Sequence, residues 1–359
     1  SFFQENGDEI HIACSADNNF FKYQKKWNFK FVEISVKRKF SLFHDIKLIL
    51  KLVLYIKKNN IDIIVGHTPK GALLGMISGF LCRKKKRFYF RHGLVYETSK
   101  GLRKLLLLIV EQIISLFSSH IYCVSKSIRN KSVKVMFFEK RKIIYFNRGS
   151  CNGVDLDSRF NPKKISLIDS KSLLNKYNLN SKNFIVGYVG RLAKDKGIEQ
   201  LVNSWSKVKN DINGAKLILC GPIDSRDPIS KSVIDKIKSD KDIIFTGEVD
   251  NIEIYYTIFT IFILPSFREG LPTAVLEASS MKLPIITSRS TGCIDSIIEG
   301  KTGIFCDITE NDIYDKILFY YKNPKTISVH GENGRNFISK HYKKDLVWNN
   351  LFKMYHNNQ

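Results

Sequence analysis

An α/β fold with two doubly wound domains is the fold class that the sequence predicts. Short runs rich in β-branched and aromatic residues alternate with longer amphipathic segments, which is typical of βα units around parallel sheets. The alternation is interrupted once, at a stretch rich in Gly, Asn and Asp (residues 147–164), and then restarts. A chain of 359 residues is also longer than one domain of ordinary size. We therefore expect two domains.

The first domain is expected over residues 1–150, with strands that are separated by helices. Helices are predicted near 44–58, 70–82 and 100–118. The predicted strands are EIHIAC (9–14), FKFVEIS (29–35), IDIIVGH (61–67), KRFYFRH (86–92), SHIYCVS (119–125) and KIIYF (142–146). The loop-like stretch that follows is the best candidate for the crossing between domains.

The second domain is expected over residues 151–340, and residues 341–359 are predicted to form a helix that packs back on the first domain. Its predicted strands are NFIVGYVG (183–190), AKLILCG (215–221), DIIFTG (242–247), TIFILPS (260–266), LPIITS (283–288) and TGIFC (302–306). Two doubly wound domains that face each other form a cleft. In such sheets ligands bind outside the carboxyl ends of the strands, so functional residues are expected there.

The charge balance is strongly basic. The sequence has 58 Lys and Arg against 34 Asp and Glu, which gives a formal net charge of +24. Such a surface attracts the phosphates of nucleic acid, anionic lipid or a nucleotide. Heavy use of Ile, Asn and Lys is also typical of proteins from AT-rich genomes, so charge alone does not choose among these partners.

The apolar runs are too short for a transmembrane helix. LLLLIVEQIISLF (105–117) falls short of the about 18 residues that span a bilayer and contains Glu111. The opening SFFQENGDEI lacks the basic and apolar regions of a signal peptide and reads like the end of a helix, a turn and a strand. We therefore expect no signal peptide, and further residues upstream of Ser1. No two cysteines have C-x-x-C spacing, which favours reduced thiols in the cytosol.

Three short motifs resemble familiar sites but lack the required spacing. EGKTG (299–303) has no glycine five positions before its Gly-Lys-Thr, so it is not a P-loop. GYVG (187–190) lacks the three-glycine spacing of a dinucleotide site. DLD (155–157) follows an Asn-Gly turn and not an apolar strand, which argues against a metal role. We therefore expect no metal site and no cofactor.

The stretch GRLAKDKG (190–197) has residues suited to binding a diphosphate. Gly190 ends a predicted strand, and Arg191 and Lys196 lie before a predicted helix. An arginine fork and a mobile lysine at such a junction can neutralise two phosphates. A solvated turn in a lysine-rich protein is the alternative interpretation.

A second strand-to-helix junction lies at FREGLPTAVLEASS (267–280). The free N–H groups at the helix start, around Leu271 to Thr273, suit phosphate oxygens. Glu269 in the loop and Glu277 on the helix can accept hydrogen bonds from paired sugar hydroxyls. Cations for a diphosphate and carboxylates for its flanking sugars together indicate a nucleotide sugar. Acidic residues favoured by the helix dipole are the alternative, which explains Glu269 better than Glu277.

These motifs resemble those of the retaining family 4 glycosyltransferases of the GT-B fold. The Glu-x7-Glu pair follows GRLAKDKG, and the first half adds HTPKGALLGM (67–76), RHGLVYETSKG (91–101), VSKSI (124–128) and GSCNGVDLDSRF (149–160). The set looks like bacterial members that extend undecaprenyl-diphosphate-linked sugars for capsule, O-antigen or N-glycan. The resemblance covers nearly the whole chain and implies two Rossmann-like domains facing across a cleft.

The resemblance implies roles for individual residues. Arg191 and Lys196 would stabilise the leaving diphosphate of a UDP-sugar, Glu269 would contact the donor sugar, and Glu277 would hold the ribose. His92 matches the family histidine that faces the donor sugar. The implied donor site also includes Gly190, Gly270, Leu271, Pro272 and Thr273. Retention would follow from front-face attack, in which the leaving diphosphate takes the acceptor's proton and no metal is needed.

The resemblance implies less specific roles for residues on the acceptor side of the cleft. His67, Lys70 or Arg91 would meet the acceptor diphosphate. Family members normally begin with a strand and a glycine-containing loop on this side, and neither is found in the sequence from Ser1 onward.

The first half also carries basic aromatic stretches, which suit an anionic bilayer. They are FKYQKKWNFKF (21–31), VKRKF (36–40) and CRKKKRFYF (82–90), beside the amphipathic segment near 100–118. A lipid-linked acceptor would require this contact. We expect a peripheral protein on the cytoplasmic face of the inner membrane, with no nucleic-acid partner. Solvated basic faces with ordinary core aromatics are the alternative.

The leading prediction is transfer of an N-acetylhexosamine or hexose from a UDP-sugar to a lipid-diphosphate-linked saccharide. One alternative is a GT-B-fold nucleotide-sugar epimerase or hydrolase, which needs no lipid acceptor. Another is a polyanion-binding protein driven by net charge, although charge alone does not require Glu277.

Overall fold

Strands and helices alternate along the chain, as the sequence predicts. The computed structural model describes residues 2–16, 18–37, 41–135, 140–146, 148–150 and 152–357. The strands are β1 (His11–Cys14), β2 (Lys30–Glu33), β3 (Ile63–His67), β4 (Lys86–Arg91), β5 (His120–Cys123), β6 (Ile143–Ile144), β7 (Phe184–Val189), β8 (Ala215–Cys220), β9 (Ile243–Gly247), β10 (Ile261–Leu264), β11 (Ile285–Ser288) and β12 (Gly303–Cys306). Each lies inside one of the predicted runs, so the strand predictions are confirmed.

The α-helices fill the intervals between the strands and the C-terminal part. They are α1 (Phe2–Glu5), α2 (Asn18–Trp27), α3 (Leu42–Lys58), α4 (Pro69–Leu81), α5 (Gly101–Phe117), α6 (Lys126–Val135), α7 (Leu167–Lys176), α8 (Ile198–Asp211), α9 (Lys231–Ser239), α10 (Ile252–Ile258), α11 (Thr273–Ser280), α12 (Glu310–Lys322), α13 (Pro324–His341) and α14 (Lys344–His356). The helices predicted near 44–58, 70–82 and 100–118 correspond to α3, α4 and α5.

Helix α2 was not predicted, because its aromatic residues favour strands when they are judged by propensity alone. Tertiary contacts explain the helix. The ring of Phe20 packs 5.4 Å from that of Phe29 and 4.3 Å from that of Phe31, so the helix covers the start of β2. The basic stretch at 21–31 is therefore helical up to Trp27 and enters β2 only at its last two residues. Residues 38–40 of the VKRKF stretch, like Cys151 of the GSCNGVDLDSRF motif, lie outside the described residues.

Contacts divide the chain into two units. One comprises Ser1–Val124, Ile128–Gly149 and Trp348–Gln359, and the other comprises Ser125–Ser127 and Ser150–Val347. The last turns of α14 belong with the first unit through aromatic packing, since the ring of Phe2 lies 6.2 Å from that of Phe352. A hydrogen bond of 2.8 Å from Lys86 Nζ to the Tyr355 carbonyl adds to this packing.

The second unit is built on a parallel sheet with the strand order β12-β11-β10-β7-β8-β9. This is the order of a doubly wound Rossmann-like sheet, in which the connection reverses direction beside the first strand. Strand β10, with the sequence Ile-Phe-Ile-Leu, is buried along its whole length, as expected for a parallel sheet covered on both faces. The reversal falls between β7 and β10, where the rule for such sheets places the ligand.

Within its described residues, the first unit contains two parallel sheets, one with the order β1-β2 and one with the order β3-β4-β5-β6. Helix α4 packs against β3, β4, α3 and α5. The close fit to β3 depends on Gly66, where a Cβ would lie 2.6 Å from the Cα of Ala72.

In the described part of the chain, no helix is both long enough and apolar enough to cross a bilayer.

We predict that Gly187→Ala lowers the free energy of unfolding by about 1–3 kcal/mol, because overpacking of a tight core forces neighbours to shift. A Cβ on Gly187, in the middle of β7, would lie 2.0 Å from a ring carbon of the buried Phe259. Urea denaturation of both proteins measures the change. Gly93→Ala is the control, since nothing lies within 4 Å of its Cβ position. Equal losses for the two variants would contradict the packing argument.

Candidate functional site

The candidate site lies at the carboxyl ends of β7 and β10, which are neighbours in the sheet. Strand β7 ends at Val189 and leads into Gly190 and Arg191, whereas β10 ends at Leu264 and leads through a loop into α11. The two sequence motifs predicted to bind a nucleotide sugar are therefore brought together. They meet at the point in the sheet where the strand order reverses.

A glycine allows the two loops to touch. Gly197 has a left-handed φ of 71°, and a Cβ there would lie 2.1 Å from the carbonyl oxygen of Pro265. The turn at 194–197 therefore packs directly against the loop after β10. The N–H of Phe267 donates to the carbonyl of Asp195 over 2.9 Å, which fixes the two loops in register.

This packing delivers Lys196 to Glu269. Lys196 Nζ lies 2.6 Å from Glu269 Oε1, and the two side chains are 13% and 16% exposed. In this partly buried setting the pair is stronger than a surface ion pair, since fewer waters compete for the charges. Two residues that the resemblance assigns to the diphosphate and the donor sugar thus lie in direct contact.

Arg191 forms a different ion pair, with Asp224. The Asp224 side chain is 3% exposed and also accepts from Arg226 Nε over 2.9 Å. The Arg191 side chain is 41% exposed, so its guanidinium keeps contact with solvent while one side of it is neutralised. Asp224 was not singled out from the sequence, because a lone Asp in a loop carries no distinctive spacing.

The start of α11 offers unpaired backbone donors. Among the described residues, the N–H groups of Gly270, Leu271 and Thr273 donate to no acceptor. Pro272 is the N-cap and has no N–H to contribute. Such a group of free donors at the positive end of a helix suits phosphate oxygens.

The loop before α11 is held in place by a segment that the sequence interpretation missed. The N–H of Glu269 donates to the Thr291 carbonyl over 2.9 Å. Gly292 follows, and a Cβ there would lie 2.5 Å from the carbonyl oxygens of both Glu269 and Gly270. The Ser-Thr-Gly turn signal at 290–292 could have indicated a close backbone approach, but it does not name the loop that is approached.

Glu277 lies on α11, and its carboxylate is hydrogen-bonded by a tyrosine of α10. Its Oε2 accepts a hydrogen bond of 3.0 Å from the hydroxyl of Tyr256 on α10. Burial raises the pKa of Glu277 to about 7, and the Tyr256 hydrogen bond opposes this rise. Glu277 therefore changes its charge in the physiological range, unlike an ordinary surface glutamate.

In the first unit, the two candidate histidines form a pair. His67 Nδ1 lies 2.8 Å from His92 Nε2, so one of these nitrogens donates and the other accepts. Although both residues remain partly open to solvent, removal from water lowers both pKa values. That of His92 falls to about 4, with repulsion from His67 as a second cause. The pair is therefore neutral near pH 7. Its predicted roles stay predictions.

The prediction that Arg91 meets an acceptor diphosphate is wrong, because the side chain is not accessible. Arg91 is 1% exposed and forms an ion pair with the buried Glu111, which also accepts a hydrogen bond of 3.0 Å from Tyr89. Lys70 is also largely buried, with Nζ 2.8 Å from an oxygen of Asp45. The basic residue type alone did not reveal these partners, which come from distant parts of the sequence.

The aspartates of the DLD motif form ion pairs with lysines near the start of α14. Asp155 accepts from the Ser158 N–H over 3.0 Å and lies 3.2 Å from Lys344 Nζ, whereas Asp157 pairs with Lys343 over 2.9 Å. Across the described residues, no group of three or more His, Cys, Asp or Glu side chains is arranged to hold a metal ion.

Comparison with known proteins agrees with this geometry. Residues 1–158 match the family model described as Glycosyltransferase Family 4, and residues 169–337 match the one described as Glycosyl transferases group 1. The chain belongs to the family 4 glycosyltransferases. The two matches lie in the two halves of the chain, so both halves identify it as a glycosyltransferase and therefore as an enzyme.

Curated relatives resemble it over most of their length. The capsular polysaccharide biosynthesis glycosyltransferase CapM of Staphylococcus aureus is 28% identical, over 99% of this chain and 91% of CapM. An Escherichia coli protein is named UDP-Gal:alpha-D-GlcNAc-diphosphoundecaprenol alpha-1,3-galactosyltransferase. It is 24% identical, over 92% of this chain and 84% of its own.

Solved structures share the fold. A glycosyltransferase from Rickettsia africae superposes with a TM-score of 0.82 at 19% identity, covering 99% of this chain and 91% of that one. Anabaena HepE, solved in complex with UDP, superposes with a TM-score of 0.79 at 16% identity, covering 96% and 91%. The fold of this glycosyltransferase is therefore GT-B, as the resemblance implied.

We predict that Arg91→Ala destabilises this glycosyltransferase by about 3–5 kcal/mol, because it leaves the Glu111 carboxylate buried without its partner charge. Thermal or urea unfolding measures the loss. The double variant Arg91→Met with Glu111→Leu should regain part of the stability, since it removes both buried charges but leaves the Tyr89 hydroxyl without this acceptor. An Arg91→Ala protein as stable as the wild type would contradict the assignment of Arg91 to a structural ion pair.

Proposed function

We propose that this glycosyltransferase moves a hexose or N-acetylhexosamine from a UDP-sugar to a saccharide linked to a lipid diphosphate, with retention of the anomeric configuration. One observation carries the proposal. Lys196 and a set of free N–H groups at the start of α11 lie at the strand reversal of one sheet, and the carboxylate of Glu277 lies on the helix that begins there. Positive groups for a diphosphate beside a carboxylate for a diol match a nucleotide sugar.

The proposed chemistry is a displacement at the anomeric carbon. The bond from this carbon to the diphosphate oxygen breaks, and a bond to the acceptor hydroxyl oxygen forms on the same face. The acceptor proton passes to the departing diphosphate. Negative charge grows on the diphosphate as the bond breaks, and the ammonium of Lys196 and the free N–H groups of Gly270 and Leu271 are suited to stabilise it.

The choice of donor and acceptor is supported by the relatives. Anabaena HepE has been solved with UDP and with UDP-glucose, and the Escherichia coli relative is named for UDP-Gal and for a diphosphoundecaprenol acceptor. CapM is named for capsular polysaccharide, and another relative from Escherichia coli, WbnH, for O-antigen. We infer a role in the assembly of a bacterial cell-surface polysaccharide on undecaprenyl diphosphate.

A lipid-linked acceptor implies contact with a membrane, and we propose that the first unit provides it on the cytoplasmic face of the inner membrane. Helix α5 supports this, because it exposes an apolar row at helical spacing. The leucines of the row that are more than half exposed are Leu102, Leu105, Leu106 and Leu116. Arg103 and Lys104 on the same helix add charge that is attracted to anionic lipid.

We predict that Lys196→Ala and Glu277→Ala each lower the rate of sugar transfer, the first by about 100-fold because it removes a group that stabilises the leaving diphosphate. The assay combines a panel of UDP-sugars with undecaprenyl-diphosphate-linked acceptors and follows the product by mass spectrometry. Proton NMR of the product reports the anomeric configuration, and inversion would refute the retaining mechanism.

Lys194→Ala is the matched control for Lys196, since Lys194 lies on the same turn and is exposed. It should transfer sugar at the wild-type rate. If both site variants keep full activity, the donor site is assigned wrongly. Release of free sugar as the main product, even with acceptor present, would instead favour a nucleotide-sugar hydrolase.

We predict that Leu105→Glu with Ile109→Glu weakens binding to vesicles containing anionic phosphatidylglycerol by roughly tenfold or more, because two apolar side chains are replaced by charges that the bilayer repels. Co-sedimentation measures the binding. The control is Leu167→Glu with Ile168→Glu, two side chains of α7 in the second unit that are each 78% exposed. Equal binding by both double variants and the wild type would contradict the proposed surface.

A further inference from the structure

Tyr256 is a buried residue to which neither the sequence motifs nor the proposed chemistry gives a role. It lies on α10 and is 1% exposed. Its ring is enclosed by the rings of Phe160, Phe259 and Phe262, at 5.9 to 6.1 Å between centroids. The ring is therefore held in one place, and the position of its hydroxyl is fixed with it.

The hydroxyl has two acceptors in reach, and both belong to α11. Glu277 Oε2 lies at 3.0 Å and the carbonyl oxygen of Ala274 at 3.3 Å. A hydroxyl has a single hydrogen to donate, and the shorter distance and the negative charge favour the carboxylate. Tyr256 thus fixes one oxygen of Glu277. Among the described residues, the other oxygen, Oε1, accepts no hydrogen bond.

The charges around Glu277 leave Tyr256 as its main stabilising contact. Burial raises the pKa of the carboxyl to about 7, while the Tyr256 hydrogen bond and the charge of Arg159 lower it and the charge of Glu253 raises it. Arg159 pairs with Glu253 over 2.9 Å, so much of its positive charge is compensated. From α13, Arg335 donates to the carbonyl of Ser280 and not to Glu277.

We propose that Tyr256 is a positioning residue for the nucleotide, whose hydroxyl holds the Glu277 carboxylate so that Oε1 is available to the ribose hydroxyls of the donor. This rests on the proposed function, and it adds a residue that touches no substrate. Acceptance from a diol requires the ionised carboxylate, and donation from a neutral hydroxyl favours that form.

The sign of the pH dependence follows. Below the folded pKa the carboxyl is protonated and accepts poorly, so affinity for a nucleotide rises as pH increases through about 7. Removing the Tyr256 hydroxyl removes an influence that lowers this pKa. The rise in affinity should therefore move to higher pH in Tyr256→Phe, and the loss should be largest near and below neutrality.

Isothermal titration of the full chain with UDP, repeated between pH 6 and pH 9, tests the proposal. Near pH 7 we expect Tyr256→Phe to bind UDP about tenfold more weakly than the wild type, as for a lost hydrogen bond to a charged group. At the alkaline end the gap should narrow. In a Glu277→Gln background, the same change should no longer alter the pH profile, because the group that titrates is missing.

Tyr255→Phe is the matched control. Tyr255 is the adjacent buried tyrosine on α10, and its hydroxyl bonds that of Tyr177 over 3.0 Å and not Glu277. It should keep the wild-type affinity and pH profile. A melting temperature for each variant identifies any general loss of structure.

The outcomes separate this inference from the proposed function. If the wild type binds UDP and Glu277→Gln weakens it, but Tyr256→Phe matches the wild type at every pH, the positioning role is wrong and the donor site stands. A Tyr256→Phe loss that is equal at all pH values and shared by Tyr255→Phe also overturns the role. If the wild type does not bind UDP at all, the proposed donor fails, and this inference fails with it.

Discussion

The site depends on the contact between residue 197 and the carbonyl of Pro265. Because Gly197 has no side chain, the turn after β7 can lie against the loop after β10, and any Cβ would meet the carbonyl oxygen at 2.1 Å. This contact brings Lys196 to Glu269 and sets the loop that leads into α11. The parallel pairing of β7 with β10 places the two loops near each other, and the missing side chain of Gly197 allows them to come into contact.

The fold was largely predictable because the strands of a parallel sheet leave a recognisable pattern in the sequence. Strands such as β10 are buried on both faces and appear as short apolar runs between helical segments, so each strand could be located. The helix α2 could not be located in this way. Its aromatic residues favour a strand by propensity. The partners of Phe20 that override this preference are Phe29, just before β2, and Phe31 in β2.

The candidate site was predictable to the extent that its chemistry lies in short motifs. Lys196, Glu269 and Glu277 could be singled out because their residue types and spacing suit a nucleotide sugar, and the structure brings the first two into contact. Gly292, Tyr256 and Asp224 were missed, because they act through contacts with distant parts of the chain. The prediction for Arg91 was wrong for the same reason. Its partner Glu111 belongs to a helix further along the chain, and the two residues form a buried ion pair.

The ion pair with Glu269 gives Lys196 a counter-ion within the protein itself. Under the proposed function, the donor's diphosphate would compete for the Lys196 ammonium with a carboxylate oxygen that lies 2.6 Å away. A small singly charged anion gains little from that exchange, because it replaces one negative charge with another. For the proposed donor, a diphosphate brings more charge and can also use the neighbouring N–H groups, so we expect the pair to favour it over chloride.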